Sequence, residues 1–408
     1  MKSRAPVAPR WRALTLLSLA ELLTLSLWFS ASAVLPALSS AWQLGDGGRA
    51  GLTLAVQLGF IAGTVASAVG NLPDVLSPRL VMIWSAILGA AANGVLALWV
   101  DSLGPALILR ALTGFFMAGA YPPAMKIMAT WFERGRGFAI GVLVGALTVG
   151  SAAPHLIRGL TGLSWRHVLL AASALALVGA GIILGFVHEG PHRFPAARFD
   201  ARMAVAVFRE RGARLASLGY LGHMWELYAM WAWIGVFLAD SLHARGRGDY
   251  AGMNASTATF LVVALGAVGC VVGGAVADRL GRTALTIAAL VVSGACAATI
   301  GLTFGAPPVV TLAVAVLWGI SVIADSAQFS TAITELAPPA YVGTALTTQT
   351  CAGFALTMAS IWLIPPLQRS LGWRWAFAAL AIGPLFGITA MARLRRVPES
   401  LRLAGGRR

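Results

Sequence analysis

Long apolar segments alternate with short polar turns along the whole chain. Each segment has about 20 residues or more, the length at which an α-helix crosses the hydrocarbon core of a bilayer. The apolar segments fall at about 13–38, 51–71, 80–100, 104–127, 138–157, 167–187, 215–239, 255–276, 284–304, 309–331, 343–367 and 373–392. The pattern predicts an all-α polytopic membrane protein with 12 transmembrane helices, numbered as spans 1 to 12.

One long polar stretch divides the spans into two sets of six. Residues 188–214 contain six Arg residues and no apolar run long enough to cross a bilayer. The chain is therefore predicted to fold as two halves with a connecting segment and a tail. These are an N-terminal half over 1–187, a cytoplasmic linker over 188–214, a C-terminal half over 215–392 and a basic cytoplasmic tail over 393–408.

The distribution of Lys and Arg predicts the orientation. Alternate sides of the predicted spans carry 22 and 7 of these residues, and cytoplasmic loops are the richer side. Both termini are therefore predicted to be cytoplasmic. The basic N-terminus followed by Ala31-Ser32-Ala33 resembles a secretory signal peptide, but the run is long, contains Glu21 and has a counterpart in the second half. We interpret it as a retained first span.

The composition excludes a soluble protein and several chemistries. The chain has 408 residues, 58% hydrophobic and only 11% charged, with a net charge of +15. Its basic residues lie in short loops without interleaved aromatic residues, so no nucleic-acid partner is predicted. Cys270, Cys296 and Cys351 lie inside apolar runs, and no disulfide framework or metal-ligand spacing is present. Neither a phosphate-binding loop nor a nucleophile motif occurs, so neither a cofactor nor an enzyme activity is predicted.

Two copies of one motif show that the halves are related. Gly70 and Asp74 follow span 2, Gly274 and Asp278 follow span 8, and the two Asp residues are 204 positions apart. A shift of 205 pairs Glu21 with Glu226 and Gly114 with Gly319. The duplication predicts two pseudo-symmetric six-helix halves that hold a substrate between them near the midplane.

These motifs resemble those of the major facilitator superfamily, whose hallmark is Gly-x-x-x-Asp-(Arg/Lys)-x-Gly-(Arg/Lys) after spans 2 and 8. The second copy matches well, whereas the first has Val75 and Ser77 where Arg and Gly are usual. The span 4 signature Arg-x-x-x-Gly is met by Arg110 and Gly114. The runs Ala-Tyr-Pro-Pro-Ala-Met-Lys at 120–126 and Gly-Arg-Gly at 135–137 resemble bacterial cyanate and nitrate/nitrite permeases.

The resemblance implies a transporter of the bacterial inner membrane with a conformational latch at the repeated turns. We predict that the latch acts through charge-assisted bonds and helix-terminal dipoles. Its residues are Gly70, Asp74, Arg79, Gly274, Asp278, Arg279, Gly281 and Arg282.

Four charged residues lie well inside spans, one each in spans 1, 4, 7 and 10. They are Glu21, Arg110, Glu226 and Asp325. Each costs at least ~2.5–3.5 kcal/mol on membrane-insertion scales, so each is a candidate functional residue. In the superfamily that the sequence resembles, these four spans line the central cavity. The alternative interpretation is that some of the four form fixed pairs that hold the helices together.

The candidates have different predicted roles. Three carboxylates facing one low-dielectric cavity cannot all stay ionised, so at least one is expected to bind and release a proton. We predict Glu226 as the coupling site, with His223 one turn away on the same face, and Asp325 as the next candidate. Arg110 is the predicted partner of an anionic solute. The other predicted cavity residues are Trp225, Tyr228 and Gln328.

The sequence thus predicts a secondary transporter that moves a small polar or anionic solute by alternating access. The predicted partners are that solute, protons and the lipid bilayer, and the chain is expected to act as a monomer. Three alternatives stay open: a drug or metabolite efflux permease, a membrane-embedded enzyme, and a sensor or scaffold that does not transport.

Overall fold

The structure is a computed structural model of the chain. It describes residues 7–70, 72, 76–132, 136–192, 207–246, 248–250, 252–338 and 341–407. Asp74 of the predicted latch lies outside these residues, as does most of the predicted linker.

Twelve helical spans run back and forth through the described part of the chain. Their bounds are Val7–Leu25 with Ser30–Ala33 and Leu35–Trp42 (span 1), Asp46–Val69 (2), Pro78–Trp99 (3), Leu103–Met117 with Tyr121–Trp131 (4), Arg136–Thr161 (5), Trp165–Phe186 (6), Arg211–Arg245 (7), Ala255–Ala264 with Gly266–Leu280 (8), Arg282–Thr303 (9), Pro308–Ala324 with Ser326–Leu336 (10), Val342–Leu371 (11) and Trp373–Arg396 (12). Because their number is even, the chain termini lie at one face, named the terminal face.

Ten of these spans are long and apolar enough to cross a membrane by length and composition. The other two, spans 1 and 7, depart from that criterion for physical reasons. Span 1 is interrupted and carries Arg10, Arg12 and Glu21, whereas span 7 carries His223 and Glu226 among Trp and Tyr residues that lower its mean hydropathy. Its first residue is Arg211, four positions before the predicted start, because the Arg side chains keep that end outside the hydrocarbon.

Four spans are broken near the middle of the molecule, and these breaks position the candidate residues. Span 1 leaves helical geometry between Leu25 and Ser30, span 4 between Met117 and Tyr121, span 8 at Leu265 and span 10 at Asp325. In span 4 the cause is Pro122 and Pro123, which lack the N–H groups that would bond to the preceding turn. The breaks in spans 4 and 10 fall at equivalent positions of the two halves.

Close backbone contacts at equivalent glycines hold each half together. A Cβ atom on Gly114 of span 4 would lie 2.0 Å from the Val56 carbonyl oxygen of span 2. On Gly319 of span 10 it would lie 1.9 Å from the Val262 carbonyl oxygen of span 8. Only a residue without a side chain permits these crossings. The sequence pairing of the two glycines therefore corresponds to the same packing in both halves.

Candidate functional site

Six aromatic rings meet at the boundary between the halves and form an aromatic cluster. The cluster consists of Trp28, Phe29, Phe60, Tyr228, Trp231 and Phe354, three from each half. The Phe60 and Phe354 ring centroids are 4.4 Å apart, and those of Trp28 and Tyr228 are 5.8 Å apart. All six side chains are buried. The cluster therefore closes the central path at this depth, and it includes the predicted cavity residue Tyr228.

Glu21 lies in the first helix of span 1, seven residues before Trp28 and nearer the terminal face, and Trp28 lies in the break that follows this helix. Its side chain is completely buried, and neither carboxylate oxygen has a hydrogen-bond partner among the described residues. Tyr121, at the break of span 4, is within electrostatic range of Glu21 and of Tyr220 on span 7. The structure thus brings polar groups of both halves together beneath the aromatic cluster.

His223 and Asp325 form a buried pair at the break of span 10. His223 Nδ1 lies 2.9 Å from Asp325 Oδ1, and each side chain is 1% exposed. The contact has the distance of an ion pair but not the geometry of a hydrogen bond. The other ring nitrogen, His223 Nε2, and both Asp325 carboxylate oxygens have no hydrogen-bond partner among the described residues. The sequence predicted both residues as candidates but did not predict their contact, because the break rotates Asp325 toward span 7.

Span 8 also approaches this break and connects it to the other half. Cys270 Sγ lies 3.7 Å from the Ile323 carbonyl oxygen and 3.9 Å from Thr148 Oγ1 of span 5. Cys270 thus lies between Ile323, two residues before Asp325, and Thr148 of the N-terminal half, so a single residue separates the break of span 10 from the other half. A relative movement of the halves changes the surroundings of the pair of His223 and Asp325.

Glu226 occupies a different environment from its sequence counterpart Glu21. It accepts hydrogen bonds from Ser293 Oγ (2.8 Å) and from Trp318 Nε1 (2.6 Å), on spans 9 and 10. On span 7 it points almost opposite to Tyr228, since the two residues are separated by 200° of helical rotation. Both carboxylate oxygens are therefore engaged inside the C-terminal half, contrary to the prediction that Glu226 faces the central path.

Two further predicted cavity residues also point elsewhere. Trp225 donates from Nε1 to the Ala379 carbonyl oxygen of span 12 (3.1 Å), which directs its ring to the outside of the bundle. Gln328 accepts from Arg282 at 2.8 Å and so belongs to the latch region. In both cases helix periodicity gave the depth of the residue, but the neighbouring spans decided which way it faces.

Arg110 stabilises the interrupted segment of span 1. Its guanidinium donates to the Leu27 and Trp28 carbonyl oxygens, which lie in the break, and to Ser30 Oγ at 3.0 Å. A further bond reaches Asn93 Oδ1 on span 3 at 3.2 Å. The side chain is completely buried. This geometry favours the fixed, structural interpretation of Arg110 over the prediction that it binds an anionic solute.

The second latch copy forms a compact charged network at the terminal face. Arg282 donates to both carboxylate oxygens of Glu335, at 2.8 and 2.6 Å, and lies 3.6 Å from Asp278. Gly281 has φ +99°, a conformation that favours glycine, which explains this position of the motif. Arg279 is exposed. The network joins spans 8, 9 and 10 within the C-terminal half.

Asp278 also contacts the N-terminal half. A Cβ atom on Gly137, the second residue of span 5, would lie 2.7 Å from Asp278 Oδ2. A Cβ atom on Gly274 would likewise lie 2.7 Å from the Gly137 carbonyl oxygen. The carboxylate thus lies at a helix N-terminus of the other half, where the free N–H groups and the helix dipole favour negative charge.

The first latch copy is different. Gly70 follows the last residue of span 2, and Arg79 donates to the Ile183 and Leu184 carbonyl oxygens at the end of span 6. Where the second copy has Gly281, the first copy has Ser77. The Ser77 hydroxyl oxygen accepts a hydrogen bond from the Leu80 N–H and caps the start of span 3. Arg79 therefore stabilises a helix C-terminus inside its own half, and among the described residues it makes no contact across the halves that supports its predicted latch role.

At the opposite face an ion pair joins the halves, and sequence reasoning missed it. Arg369 in the last turn of span 11 lies 2.8 Å from Asp46 in the first turn of span 2. Asn254 at the start of span 8 donates to the Gly159 carbonyl oxygen of span 5 at 2.6 Å. The opposite charges at two helix ends were the available sequence signal for the pair of Arg369 and Asp46.

A cavity of about 260 Å³ lies elsewhere, between spans 1, 5 and 8, with Ser18 among its lining residues.

We expect Asp46→Asn and Arg369→Gln each to open the face opposite the terminal face. A largely exposed ion pair contributes about 0–1 kcal/mol, so each change shifts the population of open molecules by up to about fivefold. The measurement is the rate at which Cys at position 50, a buried position of span 2, reacts with a water-soluble thiol reagent. The native cysteines are replaced first.

Arg374→Gln at the same face is the matched control, because Arg374 lies over the Trp375 ring instead of bridging the halves. The exchange of both charges, Asp46→Arg with Arg369→Asp, is expected to restore the slow reaction. Equal rates in the wild type and both single variants would show that the pair does not hold the face closed.

Twelve spans in two related halves, with buried charges and an occluded centre between them, define a polytopic membrane transporter. The family model of the Major Facilitator Superfamily matches residues 17–361, and the chain belongs to this superfamily. It is therefore a multi-pass membrane protein of a superfamily of transporters. The resemblance of its motifs to this superfamily is thereby confirmed, as is the all-α layout of two six-helix halves.

The chain is similar to a curated relative and to solved structures of other transporters. The MFS-type transporter pytF of Aspergillus terreus (strain NIH 2624 / FGSC A1156) is 28% identical over 178 residues, which cover 42% of this chain and 56% of that relative. The chain thus matches just over half the length of that protein. The human organic anion transporter MFSD10 (TETRAN) has a TM-score of 0.68 with 17% identity, covering 95% of this chain and 100% of that chain.

The nucleoside transporter NupG has a TM-score of 0.70 with 14% identity, covering 94% and 99% of the two chains. The proton:xylose symporter XylE, bound to 6-bromo-6-deoxy-D-glucose, has a TM-score of 0.70 with 14% identity, covering 95% and 96%. At these identities the solved structures establish the fold alone.

Proposed function

We propose that the chain is a proton-coupled secondary transporter that moves a small organic solute between its two halves by alternating access. The observation that carries this proposal is the buried pair of His223 and Asp325 at the break of span 10. A proton gained or lost by the pair changes its net charge by one unit at a place where charge is costly. The protonation state of the pair therefore biases which conformation of the two halves is stable.

Burial and location support this role. Both side chains are 1% exposed, so a proton reaches them only when the halves move apart. The break makes span 10 two shorter helices, Pro308–Ala324 and Ser326–Leu336, that can change their relative angle.

Glu226 is a weaker candidate for coupling than the sequence predicted. Its two oxygens accept from Ser293 and Trp318, and these donors hold the side chain inside one half. A side chain that keeps its partners while the halves rock has no reason to exchange its proton in each cycle. We therefore propose that the pair of Asp325 and His223, and not Glu226, is the coupling site.

The test is transport by proteoliposomes that contain the purified protein. A panel of radiolabelled sugars, nucleosides, organic acids and organic cations is offered with and without an imposed pH gradient. We expect at least one solute to accumulate with the gradient and to lose that accumulation when a protonophore is added. Asp325→Asn is expected to abolish gradient-driven accumulation but to retain exchange of labelled for unlabelled solute.

Glu226→Gln is the matched control, since the Gln carbonyl oxygen still accepts one of the two hydrogen bonds. It is expected to keep gradient-driven accumulation. Accumulation that is insensitive to the protonophore would contradict proton coupling. Accumulation by Asp325→Asn at the wild-type rate would exclude Asp325, and loss of coupling in Glu226→Gln alone would return the assignment to Glu226.

We also propose that the protein lies in a bacterial cytoplasmic membrane as a monomer, with its terminal face in the cytoplasm. The excess of Lys and Arg on that side supports this orientation. In this orientation Asp278 and Arg282 lie at the cytoplasmic face, where Asp278 contacts span 5. The pair of Asp46 and Arg369 then closes the outer face.

A further inference from the structure

We propose that the central site binds a ring-bearing organic cation, held between the faces of the aromatic cluster and the carboxylate of Glu21. This inference rests on the proposed transport function and names its substrate class. It differs from the sequence-based expectation of a polar or anionic solute.

The first argument is the aromatic surface that the two halves share. Trp28 and Phe60 of one half pack against Tyr228 and Phe354 of the other, with ring-centroid distances of 4.4 to 5.8 Å between the halves. When the halves separate, these faces become exposed to the opening between them. Aromatic faces carry partial negative charge and attract cations, most strongly where water is excluded.

The second argument is the charge available at the centre. Glu21 lies on the terminal-face side of the aromatic cluster, and Tyr121 is within electrostatic range of both Glu21 and the cluster residue Tyr228. Both carboxylate oxygens of Glu21 lack a hydrogen-bond partner among the described residues. A fully buried carboxyl group without a partner is costly. A cation that enters from between the rings supplies the partner that the protein does not.

The third argument is that the nearby cations of the N-terminal half are already engaged. Both terminal nitrogens of Arg110 donate to protein oxygens, two of them backbone carbonyls of span 1. Lys126, on the second helix of span 4, also interacts with another group. Among the described residues, Glu21 and Asp325 are negative groups near the centre, and Arg110, the cation buried in span 4, is already engaged, so the site disfavours an anionic solute.

The shape of the solute follows from the same residues. The walls supplied by the aromatic cluster are flat and apolar, so they suit a body with rings. The polar groups of the cluster that lack a hydrogen-bond partner are the indole N–H groups of Trp28 and Trp231, and Gln57 lies one turn from Phe60. A sugar, with many hydroxyl groups to satisfy, would find too few partners.

The experiment uses two probes of the same shape and opposite charge, tetraphenylphosphonium and tetraphenylborate. Binding of each radiolabelled ion to the purified full chain in detergent is measured by equilibrium dialysis, which requires neither a gradient nor transport. We expect saturable binding of tetraphenylphosphonium that is at least about tenfold tighter than that of tetraphenylborate. Glu21→Gln and Trp28→Leu are each expected to weaken tetraphenylphosphonium binding by about tenfold.

Trp28→Phe keeps a ring and is expected to bind within about threefold of the wild type, which separates loss of the ring from loss of the indole N–H. Trp84→Leu, at an exposed position of span 3, is the control for Trp replacement and is expected to bind like the wild type. A circular dichroism spectrum and a gel-filtration profile like those of the wild type establish that each variant is folded.

Tighter binding of tetraphenylborate, absence of saturable tetraphenylphosphonium binding, or unchanged binding in both folded Glu21→Gln and Trp28→Leu would overturn the inference. These failures are distinct from failure of the proposed function. A protein that accumulates another solute with a pH gradient but does not bind tetraphenylphosphonium contradicts only the substrate class. A protein that binds the cation but accumulates no solute contradicts the transport proposal.

Discussion

Gly114→Ala and Gly319→Ala are each expected to prevent or severely weaken folding, although each adds a single methyl group. The new Cβ atom would lie 2.0 Å from the Val56 carbonyl oxygen in the first variant and 1.9 Å from the Val262 carbonyl oxygen in the second. The obstacle is helix backbone, so the crossing helices must separate. The cost is expected to exceed the roughly 1–3 kcal/mol of an ordinary overpacked core. Thermal unfolding in detergent and the yield of monodisperse protein measure the effect.

Gly181→Ala on span 6 is the matched control. A Cβ atom at Gly181 has no atom of the described structure within 4 Å, and Ala is favoured over Gly in a helix by about 1 kcal/mol. The control is therefore expected to be as stable as the wild type or slightly more stable. Equal melting temperatures for Gly114→Ala and Gly181→Ala would mean that spans 2 and 4 do not cross at Gly114.

Arg110→Lys is expected to destabilise the protein about as much as Arg110→Gln, by about 3–5 kcal/mol for each. The guanidinium reaches two carbonyl oxygens of span 1, Ser30 and Asn93 at once, and a compact ammonium group cannot match that arrangement. The measurement is the free energy of unfolding in mixed detergent micelles, alongside binding of the transported solute by the folded fraction.

Arg12→Lys, at an exposed position near the start of span 1, is the matched control and is expected to keep wild-type stability. A stable Arg110→Lys variant that has lost only solute binding would support the alternative role, an anchor for an anionic solute. It would also count against an organic cation as substrate.

The halves illustrate how far a repeat in sequence predicts a repeat in structure. Gly114 and Gly319 occupy equivalent crossings because both are fixed by backbone contact inside a half. Glu21 and Glu226 are also paired in sequence. The Glu21 carboxylate has no hydrogen-bond partner among the described residues, whereas the Glu226 carboxylate accepts two hydrogen bonds. The difference arises because donors such as Trp318 have no equivalent in the first half.

The sequence by itself determined the twelve spans, the duplication and the superfamily. These properties depend on local quantities: the length of each apolar run, which sets its transfer into the bilayer, and motif spacing along one helix or turn. The depth of each buried charge followed from the rise of a helix in the same way. Span 1 was interpreted as a retained span, despite its resemblance to a signal peptide, because it has a counterpart in the second half.

Only the tertiary structure decided which group each buried charge contacts. Arg110 caps broken span 1, Trp225 faces span 12, and Gln328 binds Arg282, because neighbouring spans and helix breaks set the rotation of each side chain. The aromatic cluster and the pair of Asp46 and Arg369 join residues far apart in sequence. Such contacts depend on how two halves pack, and no periodicity within one helix encodes that arrangement.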